Sequence, residues 1–186
     1  MSLLSQIIQT PFFSDLRTVQ QMGYVVFSHY IPVGRVPGIM FVIQSPDVVP
    51  DDMNAAVEVF LENFPDWLAE RVDDDEFEAY KSGITGQLLK KYDSLGEKSE
   101  VYWTAIDQKE FNFDGREVLA QEIEKIDRQS FDQFVQNLLI GKSEHRLIVL
   151  GYGENHGLPV DQVLSVGLTI TDLESFKQGL ELFPQG

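Results

Sequence analysis

The chain has 186 residues, of which 43% are hydrophobic and 24% are charged, and its formal net charge at pH 7 is −16. This composition is typical of a globular protein, so we expect one domain over residues 1–186. The acidic balance argues against nucleic acid or an anionic membrane as a partner, because both bind clustered lysine and arginine. The lack of cysteine excludes disulfides, thiol catalysis and cysteine-ligated metals, but it leaves the cellular compartment open.

The first predicted element is a helix. Apolar residues at helical spacing indicate that it runs from Leu3 to Met22 with an interruption near Pro11. Gly23 follows directly, and we expect it to end the helix in the left-handed conformation that glycine favours at this position.

Three strands are predicted from runs of β-branched, aromatic and aliphatic residues. Two of them, Tyr24–Ser28 and Ile39–Gln44, are expected to pair as a hairpin. The residues between them, 31–38, contain too many prolines and glycines for a ladder and are predicted to form a long loop. The third strand is predicted at His145–Tyr152, which contains four consecutive aliphatic residues.

Most of the intervening chain is predicted to be helical. One helix begins at Pro50, a second begins after Asp73 with Glu76 in its first turn, and a third is capped by Ser94 with Leu95, Tyr102 and Ile106 facing inward. Two more are predicted at 117–125 and 127–140, and a tail helix at 171–180 has Thr171 and Glu174 as its expected capping residues.

These elements predict an α+β fold in which an antiparallel sheet of three strands packs against a layer of about five helices. Three strands are few for so many helices, and the first element is a helix. We therefore expect the opening strands of the sheet to be missing. Such a sheet leaves an edge unpaired, which predicts self-association of the fragment through that edge.

The sequence offers no zinc motif of its own. Its three histidines, His29, His145 and His156, have neither a glutamate nor a second histidine at the spacing of a zinc-binding helix. We therefore predict no metal site and no cofactor within this chain.

Arg17 and Tyr24 stand seven positions apart across the predicted end of the first helix. A cation and a phenol can therefore reach the same place beside the sheet. On spacing alone the ordinary interpretation is favoured, in which Arg17 is solvated or paired with an acid such as Asp15. Tyr24 would then be a core residue with its hydroxyl at the edge.

Several separated segments resemble the carboxy-terminal half of the insulin-degrading enzyme and pitrilysin branch of inverted zinc metallopeptidases. The matching segments are Leu16-Arg17-Thr18, Gly23-Tyr24-Val25-Val26-Phe27-Ser28, Phe41-Val42-Ile43-Gln44-Ser45, Tyr102-Trp103, Phe111-Asn112-Phe113-Asp114 and Phe176-Lys177-Gln178-Gly179-Leu180-Glu181-Leu182-Phe183-Pro184. Ordered matches over nearly the whole length are more specific than one short motif.

The resemblance implies a metallopeptidase LuxS/MPP-like fold and a place for this chain as the fourth and last domain of a larger protease, without its opening strands. It implies that zinc is bound in the N-terminal domain of the parent enzyme, that the N-terminal half of the same protease is the partner, and that peptides are the substrates. Arg17 matches an arginine that hydrogen-bonds the peptide near the scissile bond. Tyr24 matches a tyrosine that stabilises the tetrahedral oxyanion, and Phe13 matches a phenylalanine that lines the pocket after that bond.

The function implied is therefore the non-zinc-binding part of a zinc metalloendopeptidase that hydrolyses peptides in a closed chamber. This part contributes its residues in trans and is inactive alone. The alternative is a non-catalytic peptide-binding module from a family member without a metal site. A self-standing interaction domain unrelated to proteases requires dismissing every match.

Overall fold

The computed structural model begins with helix α1 (Ser2–Phe13), which continues through Pro11. The predicted interruption near Pro11 is therefore wrong. Proline removes one helical hydrogen bond, but here its ring is buried together with an apolar face that includes Ile8 and Phe12. Burial of that face offsets the lost bond, so the helix persists.

The last turns of this helix are wider than those of an α-helix. Residues Ser14–Val19 form a π-helical turn, called the π-turn below, that follows α1 without a break. Single π-helical turns within helices occur frequently at functional sites. The π-turn lies between α1 and the sheet, and it contacts both α1 and the first strand.

The two strands β1 (Val25–Val33) and β2 (Val36–Gln44) form an antiparallel pair that is longer than predicted. The expected loop over 31–38 is wrong, because the ladder continues until Val33 lies opposite Val36. Pro32 and Pro37 face each other in this ladder. Two opposed prolines can occupy a position where neither backbone nitrogen donates to the partner, so the pairing survives them.

The helices after the sheet begin and end close to the predicted positions. They are α2 (Pro50–Arg71), α3 (Asp74–Leu88), α4 (Leu95–Asp107), α5 (Gly115–Glu124), α6 (Arg128–Leu139) and α7 (Leu173–Gln178).

Side-chain caps fix several of these helix starts. The carboxylate of Asp73 accepts the backbone N–H of Glu76 at 2.8 Å, and the hydroxyl of Ser94 accepts that of Glu97 at 3.1 Å, as predicted. The cap of α7 was predicted wrongly, because Asp172 rather than Thr171 accepts the backbone N–H at the helix start. A carboxylate is an equally suitable N-cap acceptor, so the cap lies one residue later than predicted and the helix begins at Leu173.

The core is formed by α1, β1 and the facing sides of α2, α3 and α6. Its centre is aromatic: the ring of Phe12 lies 4.9 Å from that of Phe41 and 5.3 Å from that of Phe60. One buried polar atom is unpartnered among the described residues, the hydroxyl of Ser28 on the inner face of β1.

Helix α4 differs from α1, α2, α3, α5 and α6 because none of its residues is buried. Leu95 is 81% exposed, and Ile106 is also exposed, so the prediction that they face inward is wrong. Their helical spacing is correct, but no described element packs against them closely enough to bury them.

The predicted third strand is not formed. His145 lies outside the described residues, and residues 146–152 adopt no regular secondary structure. Leu147 and Val149 are both largely exposed there. A strand requires a partner for its backbone groups, and the described residues from 146 onward contain no strand that could supply one. The fold is therefore α+β with a two-stranded antiparallel sheet among the described residues.

The structure describes residues 1–33, 36–107, 109, 111–140, 146–154, 156–157 and 169–180. They belong to two compact units, Met1–Gly141 and Lys142–Gly186. Among the described helices, none combines the length and the apolar composition needed to cross a bilayer.

Candidate functional site

The π-turn is closed by two hydrogen bonds between the same two residues. The backbone N–H of Gln20 donates to the carbonyl oxygen of Asp15 at 2.8 Å, five residues back rather than four. The side-chain amide of Gln20 also donates to the carboxylate of Asp15, over 2.9 Å. Arg17 lies inside the loop that these two bonds close.

The chain leaves this turn through a left-handed residue, which is Gln21 with φ of 55° and not Gly23. The backbone N–H of Met22 then returns to the carbonyl of Leu16 at 2.8 Å. In the usual glycine-ended helix this bond spans five residues, whereas here it spans six because the π-turn contains one more. The prediction that Gly23 supplies the left-handed stop is therefore wrong.

Gly23 is needed for a different reason, which is close approach to the neighbouring strand. A Cβ atom at this position would collide with the carbonyl oxygen of Gln44 and lie 3.0 Å from its carbonyl carbon. The next residue, Tyr24, donates its backbone N–H to the same carbonyl at 3.0 Å. The missing side chain therefore lets the chain join the ladder immediately after the helix ends.

Arg17 is half-buried in the π-turn, and its guanidinium forms no hydrogen bond or ion pair with any described residue. The ordinary interpretation, in which Asp15 pairs with it, is not observed, because the carboxylate of Asp15 is bound by the amide of Gln20. A permanently charged guanidinium with free donors can bind a carbonyl or carboxylate oxygen of a ligand.

Tyr24 and Phe13 are both exposed, although each follows a buried residue. Tyr24 is 57% exposed just before β1, and Phe13 is 47% exposed at the end of α1, one helical turn before Arg17. By contrast, Phe12 and Val26, their neighbours in the chain, are in the core. All three predicted residues therefore lie on one segment, from Phe13 to Tyr24, whose Leu16 is buried in the core while the predicted residues themselves are exposed or half-buried.

A cavity among the described residues lies elsewhere. It has a volume of about 470 Å³ and is lined by residues of α3, α4 and α5 and the segment between α3 and α4, including Lys90, Tyr92 and Arg116. Arg116 donates to the carbonyls of Gln87 and Lys90 and lies 4.7 Å above the ring of Tyr92. Its guanidinium is therefore already engaged in joining these elements, and we assign this cavity no part in the site.

No set of three or more histidine, aspartate or glutamate side chains in the described residues is arranged to hold a metal ion. Zinc requires three or four such ligands at about 2 Å. The described residues therefore do not fit a zinc ion.

Sequence reasoning missed the hydrogen-bonded pair of Asp15 and Gln20 and the left-handed Gln21. A spacing of five is not a helical signal, and nothing in the residue types distinguishes a π-turn from an ordinary last turn. A π-helical turn differs from an α-helical one in the spacing of its backbone hydrogen bonds, and that spacing is visible only in the folded chain.

Comparison with known proteins places the chain in context. Residues 3–103 match a family described as PQQ synthase PqqF-like, C-terminal lobe domain 4. The chain is 30% identical to the A-factor-processing enzyme of Saccharomyces cerevisiae over 188 residues, an alignment that covers 98% of this chain and 18% of that protein. It is also 30% identical to Protease 3 of Escherichia coli K12 over 141 residues, which covers 75% of this chain and 14% of the relative.

Among solved structures, the crystal structure of pitrilysin matches 73% of this chain and 14% of its own with a TM-score of 0.65 and 29% sequence identity. The chain thus spans less than one fifth of the length of the relatives named here.

Proposed function

The chain belongs to the insulinase and pitrilysin family of metallopeptidases, in its PqqF-like C-terminal lobe domain 4, and we propose that it forms the half of a peptidase site that does not bind zinc. In this proposal it is the fourth domain of a longer protease. It acts on a peptide held in a closed chamber between itself and the N-terminal half of the same protein.

One observation supports this role more than any other: Arg17 has no hydrogen-bond or ion-pair partner among the described residues although it is half-buried in a chain of net charge −16. An arginine in such an acidic protein is usually paired or fully solvated. A guanidinium held in a structured turn without a partner is suited to binding a substrate oxygen.

Tyr24 supplies the second donor. Its side chain is exposed while the backbone on either side is fixed, by the ladder after it and by the close approach of Gly23 before it. A phenol held in this way can donate to the oxygen that becomes negatively charged when a peptide carbonyl is attacked. Phe13 offers an exposed ring one helical turn from Arg17 for an apolar substrate side chain.

We place the zinc ion of this protease in the N-terminal half, since the described residues of this chain do not fit one. The ion would polarise the carbonyl and activate the attacking water there. Arg17 and Tyr24 would then bind and orient the peptide from the opposite side, so hydrolysis requires both halves. The isolated chain is inactive under this proposal.

The test replaces Tyr24 by Phe in the complete protease, which removes one hydroxyl and keeps the ring. We expect kcat for a peptide substrate to fall on the order of 10²-fold, as it does when one oxyanion donor is removed. Tyr30→Phe is the matched control, because it removes a hydroxyl from β1, the strand that follows Tyr24, at a half-buried position outside the site.

Equal turnover by the Tyr24→Phe variant and the Tyr30→Phe variant, with unchanged folding and zinc content, would refute a catalytic role for Tyr24. If the complete protein instead binds peptides without any turnover, the alternative of a non-catalytic peptide-binding module is correct.

The same proposal includes self-association of the isolated chain. Each strand of the hairpin has one edge without a partner among the described residues, and such edges tend to pair with another strand. Sedimentation should show dimers or larger species at tens of micromolar, roughly the range in which exposed edges associate. A single monomeric species there would contradict it.

A further inference from the structure

We infer that Asp15 and Gln20 are positioning residues for Arg17: their paired hydrogen bonds hold the π-turn closed and keep the guanidinium free for substrate. This inference rests on the proposed function, because it concerns how Arg17 is presented. Neither residue is expected to touch the peptide. Both act through the turn that contains Arg17.

The geometry fixes the backbone of Arg17 from both sides. Asp15 and Gln20 are joined twice, once through the main chain at 2.8 Å and once through their side chains at 2.9 Å. Leu16, next to Arg17, is fully buried, and its carbonyl accepts the N–H of Met22 at 2.8 Å. A residue inside such a closed and anchored turn has little freedom to shift.

The chemistry of the pair also explains why Arg17 has no partner. Asp15 is the acid closest to Arg17 in sequence and the natural candidate to neutralise it. The side-chain amide of Gln20 is an uncharged donor, so the carboxylate of Asp15 is hydrogen-bonded without a positively charged side chain taking part. The positive charge of Arg17 therefore remains available for a substrate oxygen.

The first test replaces Gln20 by Glu in the complete protease. The new side chain has almost the same shape but cannot donate to Asp15 when ionised, and it places two carboxylates at the closure of the turn. It also offers Arg17 a competing acid. Since a misplacement of about 1 Å can cost on the order of 100-fold in rate, we expect kcat to fall about 10- to 100-fold, with a smaller change in KM.

The pair can be restored with its polarity reversed. In the double variant Asp15→Asn/Gln20→Glu, the amide at position 15 donates to the carboxylate at position 20, and the net charge equals that of the original pair. We expect kcat of this variant to return to within about threefold of the original value. The remaining loss, about an order of magnitude smaller than that of Gln20→Glu alone, reflects the imperfect geometry of the reversed pair. Gln9→Glu is the charge control, because Gln9 is exposed on α1 and the same charge is added there without breaking a bond.

The decisive measurement is a cycle with Arg17→Ala. If Gln20 acts through Arg17, the Gln20→Glu change should cost less than about twofold in kcat once Arg17 is already removed, because coupled residues are not additive. A purely structural role for the pair would give the same loss in both backgrounds. That result, or a folded double variant that stays as slow as Gln20→Glu, would overturn the inference.

The failure of the proposed function would look different. Arg17→Ala would then leave turnover unchanged, whatever the variants at positions 15 and 20 do. If Arg17→Ala slows turnover but Gln20→Glu matches the Gln9→Glu control, the function stands and only the positioning role is wrong.

Discussion

Phe12 on α1 and Trp103 on α4 are both large aromatic residues on helices of the same unit, yet Phe12 is 0% exposed and Trp103 is 68% exposed. The two helices have similar lengths, 12 and 13 residues, and both carry apolar residues at helical spacing. The two helices differ in what packs against them: α1 packs on the sheet and on α3, whereas no residue of α4 is buried.

This difference indicates where a fixed site can be built. The proposed residues Phe13, Arg17 and Tyr24 belong to the well-packed region, each one or a few positions from a fully buried side chain. An exposed group can be held accurately only if the backbone beneath it is held, so the burial of Phe12 and Leu16 is part of the site's geometry.

The largest expected effect is on stability, and it tests the contrast between Phe12 and Trp103 directly. Phe12→Ala should lower the free energy of unfolding of the chain by about 3–5 kcal/mol, since it removes a buried ring in contact with two others. Trp103→Ala should change it by less than about 0.5 kcal/mol, as is usual for surface positions.

Urea denaturation of both variants, followed by circular dichroism, measures these losses. Similar losses for the two variants would mean that α4 is covered as well as α1 is, and the comparison would then be wrong.

A smaller effect is expected where the helix meets the strand. Gly23→Ala forces a methyl group against the carbonyl of Gln44, so we expect a loss of about 1–3 kcal/mol from overpacking. Gly83→Ala is the matched control, because Gly83 lies in α3 with nothing near its missing side chain, and it should stabilise the chain by about 0.5–1 kcal/mol.

Thermal or urea unfolding of both glycine variants measures the contrast. In the complete protease Gly23→Ala should also slow turnover, because Tyr24 is the next residue. Retention of full stability by Gly23→Ala would show that the close approach to Gln44 does not constrain this segment.

Local signals in the sequence were enough for the features that depend on a few neighbouring residues. The cap at Asp73 and the start of α2 at Pro50 are of this kind, since a side chain three residues away or a fixed φ decides them. Features decided by distant partners were predicted poorly. Pro32 lies in a ladder opposite Pro37, and Ile106 is exposed because no described element covers it.

The site shows the same division. Spacing alone favoured an ordinary role for Arg17 and Tyr24, and only the resemblance to metallopeptidases singled them out. The structure adds that Arg17 is unpaired among the described residues and that Asp15 is bound by Gln20. That pairing depends on a helix widening by one residue, for which the amino-acid types give no signal.

The smallest expected effect lies at an exposed helix start, away from both aromatic residues. The backbone N–H of Ser130 donates to the carboxylate of Asp127 at 2.9 Å and holds the pKa of that carboxyl below its ordinary value of 3.8. The folded chain therefore binds this proton less readily than the unfolded chain. Asp127 stabilises the fold fully above about pH 3.8, and this contribution is lost as the pH falls through the lower folded pKa.

The variant Asp127→Asn isolates that contribution, because asparagine also caps helices but does not titrate in this range. As the pH is lowered from 6 to about 3, the window in which carboxylates protonate, the urea midpoint of the original chain should therefore fall relative to that of the variant. A constant difference over this range would show that the cap does not favour the ionised form. Since Asp127 is fully exposed, the change should be smaller than either loss expected in the packed region, as solvent screens interactions of exposed charges.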